Sequence, residues 1–318
     1  MAIEKKLGAA TRDAYGKTLV ALGKSNPNIV VLDADLSKST KTEAFGKAYP
    51  DRFFNVGIAE ANLVGIAAGL ASSGKIPFIS SFACFLICKG YDQLRMSVAF
   101  PELNVKVVAS HGGISVGEDG ASQQSIEDLA LTTSLPGFTV IVPADEISAK
   151  ALIEETAKHV GPVFMRTGRP KAPIVYGPDA KFKIGKGNQL REGKDVTIFA
   201  LGLLVYEALE AADQLSKQGI AAAVVDLHTV KPIDRELVIA QVKKTGAAVV
   251  CEEHQIYGGL GSALAEVVAQ EFPVPIEFVA IRDTFAESGT GDELMERYGL
   301  TAPHIVKAVQ RVLSRKKK

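Results

Sequence analysis

The sequence predicts an α/β protein made of two doubly wound domains with mainly parallel sheets. Three observations carry that reading. Short β-branched runs alternate with longer stretches of helical character. A polar stretch rich in Gly and Pro interrupts the alternation once. Finally, 318 residues amount to two domains' worth of chain at roughly 150 residues each.

In chain order, the strand-like runs of the first half are 28–32, 76–80, 105–109, 139–142 and 162–165. Helical stretches at 59–72, 91–99 and 145–159 lie between several of them, which argues for a parallel sheet covered on both faces. Residues 171–194 break the rhythm with Pro173, Gly177, Pro178, Gly185, Gly187 and Gly193 among polar side chains. Strand-like runs resume at 196–200, 221–225, 247–251 and 276–280, with helices at 206–217, 234–244 and 262–271. The expected division is a first domain at 1–180, a linker at 181–194 and a second domain at 195–318.

Thirty-six Lys and Arg balance 36 Asp and Glu, which excludes a broad electrostatic footprint for nucleic acid or anionic membrane. The basic run at 315–318 reads as a solvated tail. No apolar run approaches the ~18 residues of a membrane span, and the N-terminus from Met1 to Lys6 lacks the apolar core of a secretion signal. Cys84, Cys88 and Cys251 make an odd number without framework spacing, so a reducing, cytoplasmic setting is expected. No further Cys or His stands near Cys84 and Cys88 to complete a zinc site, and both read as small hydrophobes.

Ligands of open parallel sheets collect at the carboxyl ends of the strands. That rule brings together the loops carrying Asp33 to Ser39, Phe82 to Phe85, His111 to Gly120, and Arg166 to Arg169. Acids, aromatics, a histidine and arginines meeting on one edge suit a phosphorylated small molecule.

Residues 61–71 are apolar or small all round except at Asn62, as in a helix buried on every side. Glu60 stands at its start, where a carboxylate is costly unless something hydrogen-bonds to it. An acid held by the helix dipole would also explain Glu60, just as core packing would explain Phe82 and Phe85. Gly65, Gly69 and Gly74 form no phosphate cradle, and Gly258-Gly259-Leu260-Gly261 suits a tight strand-to-helix turn. His254, beside Glu252 and Glu253, fits either a catalytic role or a strand end or domain interface, whereas His159, His228 and His304 carry no recognisable chemistry.

Four segments together resemble transketolase, in the family's order and at its spacing. They are Val56-Gly57-Ile58-Ala59-Glu60-Ala61-Asn62, Ser81-Phe82-Ala83-Cys84-Phe85, Gly117-Glu118-Asp119-Gly120-Ala121-Ser122-Gln123 and Arg166-Thr167-Gly168-Arg169-Pro170. The resemblance covers nearly the whole chain, including Thr229-Val230-Lys231-Pro232-Ile233-Asp234 and Glu252-Glu253-His254. Transketolases have a further domain that binds the diphosphate and metal of their cofactor through Gly-Asp-Gly. This chain has Glu118-Asp119-Gly120 and Gly291-Asp292-Glu293 but no Gly-Asp-Gly. The resemblance therefore implies the pyrimidine-binding and C-terminal domains alone, the smaller subunit of a split transketolase.

The same resemblance implies an activity, a cofactor and a set of site residues. The implied activity is transfer of a two-carbon glycolaldehyde unit from a ketose phosphate to an aldose phosphate, as in the pentose phosphate pathway. The implied cofactor is thiamine diphosphate with Mg2+ or Ca2+, the metal held mainly by the partner and by no residue of this chain. Glu60 matches the glutamate that hydrogen-bonds N1′ of the aminopyrimidine, Ile58 the apolar support of the cofactor, and Phe82 and Phe85 the lining of the pyrimidine pocket. Arg12, Ser39, His111 and Arg169 match phosphate-binding positions, with Arg166 the alternative to Arg169. Asp119 matches the acid that reads the substrate's C2 hydroxyl. Gln123 occupies a position held by histidine in some branches and glutamine in others, so its part in proton transfer stays open. The second domain matches no cofactor-binding motif and is expected to supply subunit contacts.

The implied partner is an N-terminal, diphosphate-binding subunit of roughly 270 residues, one to two domains' worth. An α2β2 assembly is expected, with the chain alone inactive and with no nucleic-acid or membrane partner. Rival readings are the β subunit of a 2-oxo acid dehydrogenase E1, the lone C-terminal half of a 1-deoxyxylulose-5-phosphate synthase, and a non-catalytic binding subunit. Gly117-Glu118-Asp119-Gly120 and Arg169 favour a sugar phosphate.

Overall fold

The computed structural model describes residues 5–316. Met1 to Glu4 of the N-terminal stretch, and Lys317 and Lys318 of the basic run, lie outside the described residues. The chain begins with β1 (Leu7–Ala10), α1 (Thr11–Ser25), β2 (Ile29–Asp33), α2 (Ser37–Thr40), α3 (Glu43–Ala48) and β3 (Phe53–Asn55). It continues through α4 (Glu60–Ser72), β4 (Ile76–Ser80), α5 (Ala83–Gln93), β5 (Lys106–Ala109) and α6 (Asp128–Thr133). The first half closes with β6 (Thr139–Ile141), α7 (Glu146–Lys158), β7 (Val163–Arg166) and β8 (Lys171–Pro173). Next come β9 (Asn188–Arg191), β10 (Val196–Ala200), α8 (Leu204–Ser216), β11 (Ala222–Asp226), β12 (Thr229–Lys231) and α9 (Arg235–Thr245). The chain finishes with β13 (Ala248–Gln255), α10 (Leu260–Glu271), β14 (Ile276–Ile281), α11 (Gly291–Arg297) and α12 (Ala302–Arg315).

Two sheets carry the architecture, in the orders β12-β6-β7-β5-β4-β2-β3 and β14-β13-β10-β11-β9. Neighbours run parallel except at one edge of each, where β12 opposes β6 and β9 opposes β11. Both sheets are covered on both faces, as expected. Val30, Leu32, Ile79 and Val107 face Leu63 and Val64 of α4 and Leu86 and Ile87 of α5. On the opposite face Ile29, Val31, Phe78 and Val108 pack with Tyr15 and Leu19 of α1 and Leu152 and Ile153 of α7. Such strands lose water on both sides, which is why they read as unbroken β-branched runs.

The structure also departs from the sequence-based expectation in several places. Helices α1 and α12 lie outside the alternation read from the sequence. The stretch read as a linker carries β9 at a sheet edge. Helix α5 begins eight residues before the expected 91 and passes into a π-helical turn at Leu94–Ala99, so Phe85 sits on a helix and not in a loop. Helix α4 is not buried all round, because Asn62, Gly65, Ile66 and Gly69 are exposed. The basic run is partly anchored: Arg315 Nη1 meets Glu277 Oε1 at 2.5 Å and Lys316 Nζ donates to Asp195 O at 3.0 Å.

Several buried polar groups tie loops to this frame. Lys106 is wholly buried in β5 and donates to the carbonyls of His159 and Gly161 at 2.7 and 2.8 Å, meeting the free carbonyls beyond α7. Burial lowers its pKa to about 7. Glu252 accepts the N–H groups of Leu260 and Gly261, both at 2.8 Å, so the Gly258-Gly259-Leu260-Gly261 turn wraps an internal carboxylate. Asp145 caps α7 through Ser148 N at 2.8 Å, and its second oxygen accepts from Val175 N and Tyr176 N at 3.0 and 3.1 Å. Asp145→Ala removes a cap and orphans two further N–H groups, so unfolding should become easier by about 2–4 kcal/mol in denaturant melts. An unchanged midpoint would mean that water replaces the carboxylate.

Candidate active site

The sheet order places the carboxyl ends of β7, β5, β4, β2 and β3 side by side. From them leave, in the same order, the segments bearing Arg169, His111, Phe82, Ser39 and Glu60. Arg12 joins them from the first turn of α1.

Arg12 Nη1 donates to Ser39 O at 3.0 Å and approaches His111 Nε2 at 3.3 Å. A guanidinium can only donate, so His111 Nε2 accepts and Nδ1 carries the proton toward Ser110 Oγ, 2.8 Å away. The imidazole stacks on Phe82 with ring centroids 3.7 Å apart. Burial, then the charges of Arg12 and Arg169, push the His111 pKa down to about 3. Arg169 Nη1 donates to Val116 O and meets Glu118 Oε2 at 2.8 Å, while Arg12 Nε is buried without a partner among the described residues. Two guanidinium groups and a neutral histidine thus gather where an anion would satisfy them. Asp33, fully buried, shapes the adjacent turn by accepting from Leu36 N, Thr40 Oγ1 and Thr42 Oγ1 at 2.6, 2.7 and 2.8 Å.

Glu60 opens α4 with only 4% of its surface exposed. Among the described residues its side chain accepts no hydrogen bond, and its ion-pair partner is Lys89, whose Nζ lies 3.9 Å from Oε2. The same ammonium stands 4.5 Å from the centre of the Phe85 ring, so the carboxyl and that ring share one neighbourhood. Phe85 in turn stacks on Phe82 at 5.6 Å with 21° between the planes. Among the described residues no group of three His, Cys, Asp or Glu side chains could hold a metal ion.

Residues 8–174 match the transketolase pyrimidine-binding domain, and residues 185–305 match the transketolase C-terminal domain. The chain belongs to the transketolase family. A putative transketolase C-terminal section from Methanocaldococcus jannaschii is 46% identical over 94% of both chains. A 6-deoxy-6-sulfo-D-fructose transketolase subunit from Clostridium sp. is 44% identical over 96% of this chain and 95% of its own. A solved structure described as a split gene transketolase, an inactive beta4 tetramer, is 54% identical with a TM-score of 0.92, covering 98% of this chain and 100% of that one. This chain thus carries the pyrimidine-binding and C-terminal domains of the family, is similar in extent to these C-terminal sections and subunits, and spans about half the length of the vertebrate transketolases it matches.

Transketolases generally use thiamine diphosphate and a divalent metal. The residues present fit the pyrimidine half of that cofactor: an undonated buried carboxyl could hold a protonated ring nitrogen, and Phe82 and Phe85 offer flat faces. Of the other expected residues, Ile58 is 78% exposed. Asp119 is exposed on its loop, near enough to Arg12 to act on its charge. Gln123 lies beside α5, its carbonyl accepting from Cys84 Sγ at 3.3 Å. Arg166, the alternative to Arg169, is buried away from the arginine cluster, with Nη1 on Asp128 Oδ1 at 3.2 Å and Nη2 on Glu253 O at 3.0 Å. His254 accepts Ala130 N–H at 3.3 Å across the seam between the two halves, which is the interface reading. Lys89 and Ser110 escaped the sequence reading, since no spacing rule links them to the site, and Asp33 and Glu253 were read there without a role.

The depressed His111 pKa has a defined consequence. Below its ordinary range near pH 6.5 the unfolded chain takes a proton that the folded chain refuses. Stability from this residue is present above that pH and is lost as pH falls toward 3. The His111 imidazole signals should therefore stay unshifted by NMR between pH 8 and about 5. Titration near neutrality would contradict the buried, arginine-flanked setting.

Proposed function

We propose that this chain supplies the pyrimidine-binding and substrate-phosphate half of a two-chain transketolase that moves a glycolaldehyde unit from a ketose phosphate to an aldose phosphate. The observation that carries the reading is the buried, undonated Glu60 carboxyl, next to stacked phenyl rings, on the sheet edge where Arg12 and Arg169 converge. Neither feature stabilises the chain by itself, because a buried carboxylate with no hydrogen-bond donor and only a distant lysine, and clustered guanidinium groups, both cost free energy. Their sense lies in what they bind.

In this reading thiamine diphosphate, when bound, supplies the carbon nucleophile. Glu60 holds the proton at N1′ of the aminopyrimidine, and its scant exposure keeps water from competing for that hydrogen bond. Phe82 and Phe85 bury the ring faces, with Ile58 as an apolar support. Arg12, Ser39, His111 and Arg169 take the anionic end of the sugar and orient it toward Asp119 and Gln123. His111 enters as a neutral donor or acceptor, leaving positive charge to the arginines. Electrostatic pre-organisation of this kind requires no rearrangement during the reaction.

A partner chain would supply the diphosphate and Mg2+ or Ca2+ site, each cofactor lying between unlike chains of an α2β2 assembly. The exposed face of α4 supports such docking. A Cβ at Gly65 or Gly69 would meet nothing within 4 Å, although this apolar helix faces outward there. Gly65→Ala should stabilise the isolated chain by about 0.5–1 kcal/mol through helix propensity. Gly65→Leu should leave it folded and abolish co-purification with the partner. Unimpaired assembly of Gly65→Leu would place the interface elsewhere.

The deciding experiment is capture of the tagged chain with its partner from the native source, followed by a glycolaldehyde-transfer assay. Activity is expected from the pair and not from the chain alone. Glu60→Gln should lower turnover by about 10²–10⁴-fold, with an unchanged or higher melting midpoint. Fructose 6-phosphate and its 6-deoxy-6-sulfo counterpart are the donors to compare, since both present an anion to Arg12 and Arg169. Normal turnover by the complemented Glu60 variant, full activity of the lone chain, or lipoyl-dependent 2-oxo acid decarboxylation would each overturn the assignment.

A further inference from the structure

The loop after β5 takes an unusual path. His111 and Gly113 both have left-handed backbone angles, with φ of +62° and +81°. The loop's regular bonding is slight, the Gly113 N–H reaching Ser125 O at 2.6 Å. Across it lies Glu253 of β13, 4% exposed, whose Oε1 accepts the Ser115 N–H at 2.5 Å. A Cβ on Gly113 would overlap the Glu253 carboxyl, and one on Gly112 would overlap Arg166 Cδ. The two glycines are therefore clamped between an acid of the second sheet and an arginine of the first.

We infer that Glu253 is a positioning residue: its carboxylate fixes the 111–115 loop and so sets His111 against Arg12 in the anion cluster. The importance of that cluster to a sugar phosphate rests on the function proposed above. A left-handed non-glycine residue persists only where its surroundings over-determine it, and at His111 the surroundings are Ser110, Arg12, the Phe82 ring and, two residues on, this carboxylate. Removing the carboxylate leaves the Ser115 N–H buried without an acceptor and opens space beneath Gly113. The loop can then relax, carrying the imidazole away from Arg12. The second domain thus acts on the substrate site without touching the substrate.

Glu253→Gln keeps an oxygen in reach of Ser115 N–H, whereas Glu253→Ala does not. In the complemented enzyme, Glu253→Ala should raise the KM for the donor sugar by about tenfold while kcat changes by less than about threefold. Glu253→Gln should restore the KM. Inorganic phosphate binding to the chain, measured by calorimetry, should weaken in parallel. An activity-free signal accompanies these: the His111 imidazole resonances, assigned through His111→Gln, should move in Glu253→Ala and not in Glu253→Gln. Should Glu253→Ala fail to fold, Glu253→Asp, one methylene short of Ser115, reports the same signals. Unmoved His111 resonances in Glu253→Ala, or in Glu253→Asp where the alanine variant does not fold, would overturn the inference. A wild-type pair without glycolaldehyde transfer, but with His111 still responding to Glu253, would overturn only the proposed function.

Discussion

The buried guanidinium of Arg166 holds the two sheets together at the edge where the site is built. It ends β7, is 4% exposed, and spends its donors on Asp128 of α6 and the Glu253 carbonyl of β13. A desolvated cation of this kind leaves an uncompensated charge if either partner moves, so it acts as a geometric constraint more than as a source of stability. Its stem also dictates the loop above it, because only glycine fits at Gly112. The seam is reinforced by β12, which leaves the second half to join the first sheet. An apolar cluster runs on from Val140 and Leu135 to Val225, Val250 and Leu264. The two halves therefore present one continuous edge.

On that edge the molecule concentrates unfavourable electrostatics. A chain of zero formal net charge places Arg12 near Arg169 beside a neutral imidazole, and the charges of Asp13 and Asp119 offset only part of the burial and repulsion at Arg12. The carboxylate that reaches Arg169 is Glu118, itself largely solvent-exposed; exposed pairs of this sort are weak and yield readily. Glu60 shows the same logic with the opposite sign, a buried acid faced by one half-exposed lysine. Both arrangements are tolerated within a well-packed core, and under the proposed function both would gain from a complementary ligand.

How much of this was legible varies residue by residue. Strands β2, β4 and β10 lie within a residue of their expected ranges, because burial on both faces leaves an unmistakable β-branched run. Helix α5 was misplaced because Ala83 to Ile87 is apolar throughout, and such a run carries no period to separate strand end from helix start. The rule that ligands gather at strand carboxyl ends assembled Arg12's neighbours Ser39, His111 and Arg169 without any coordinates. It could not choose between Arg166 and Arg169, three residues apart. Nor could it show that one face of α4 is open, since an apolar helix looks the same whether its own chain covers it or not.

The sequence by itself determined the two mainly parallel sheets and the loops that meet at the strand ends, which come from short-range periodicity and residue type, whereas the chemistry expected of Glu60 and the arginines came from the resemblance to transketolase. The tertiary structure alone decided that Arg166 locks the seam while Arg169 joins Arg12, that His111 is held neutral, and that Glu253 reaches across 138 residues to Ser115. Those outcomes depend on desolvation and hydrogen-bond satisfaction between segments distant in the chain, and no local pattern encodes which buried donor will meet which acceptor.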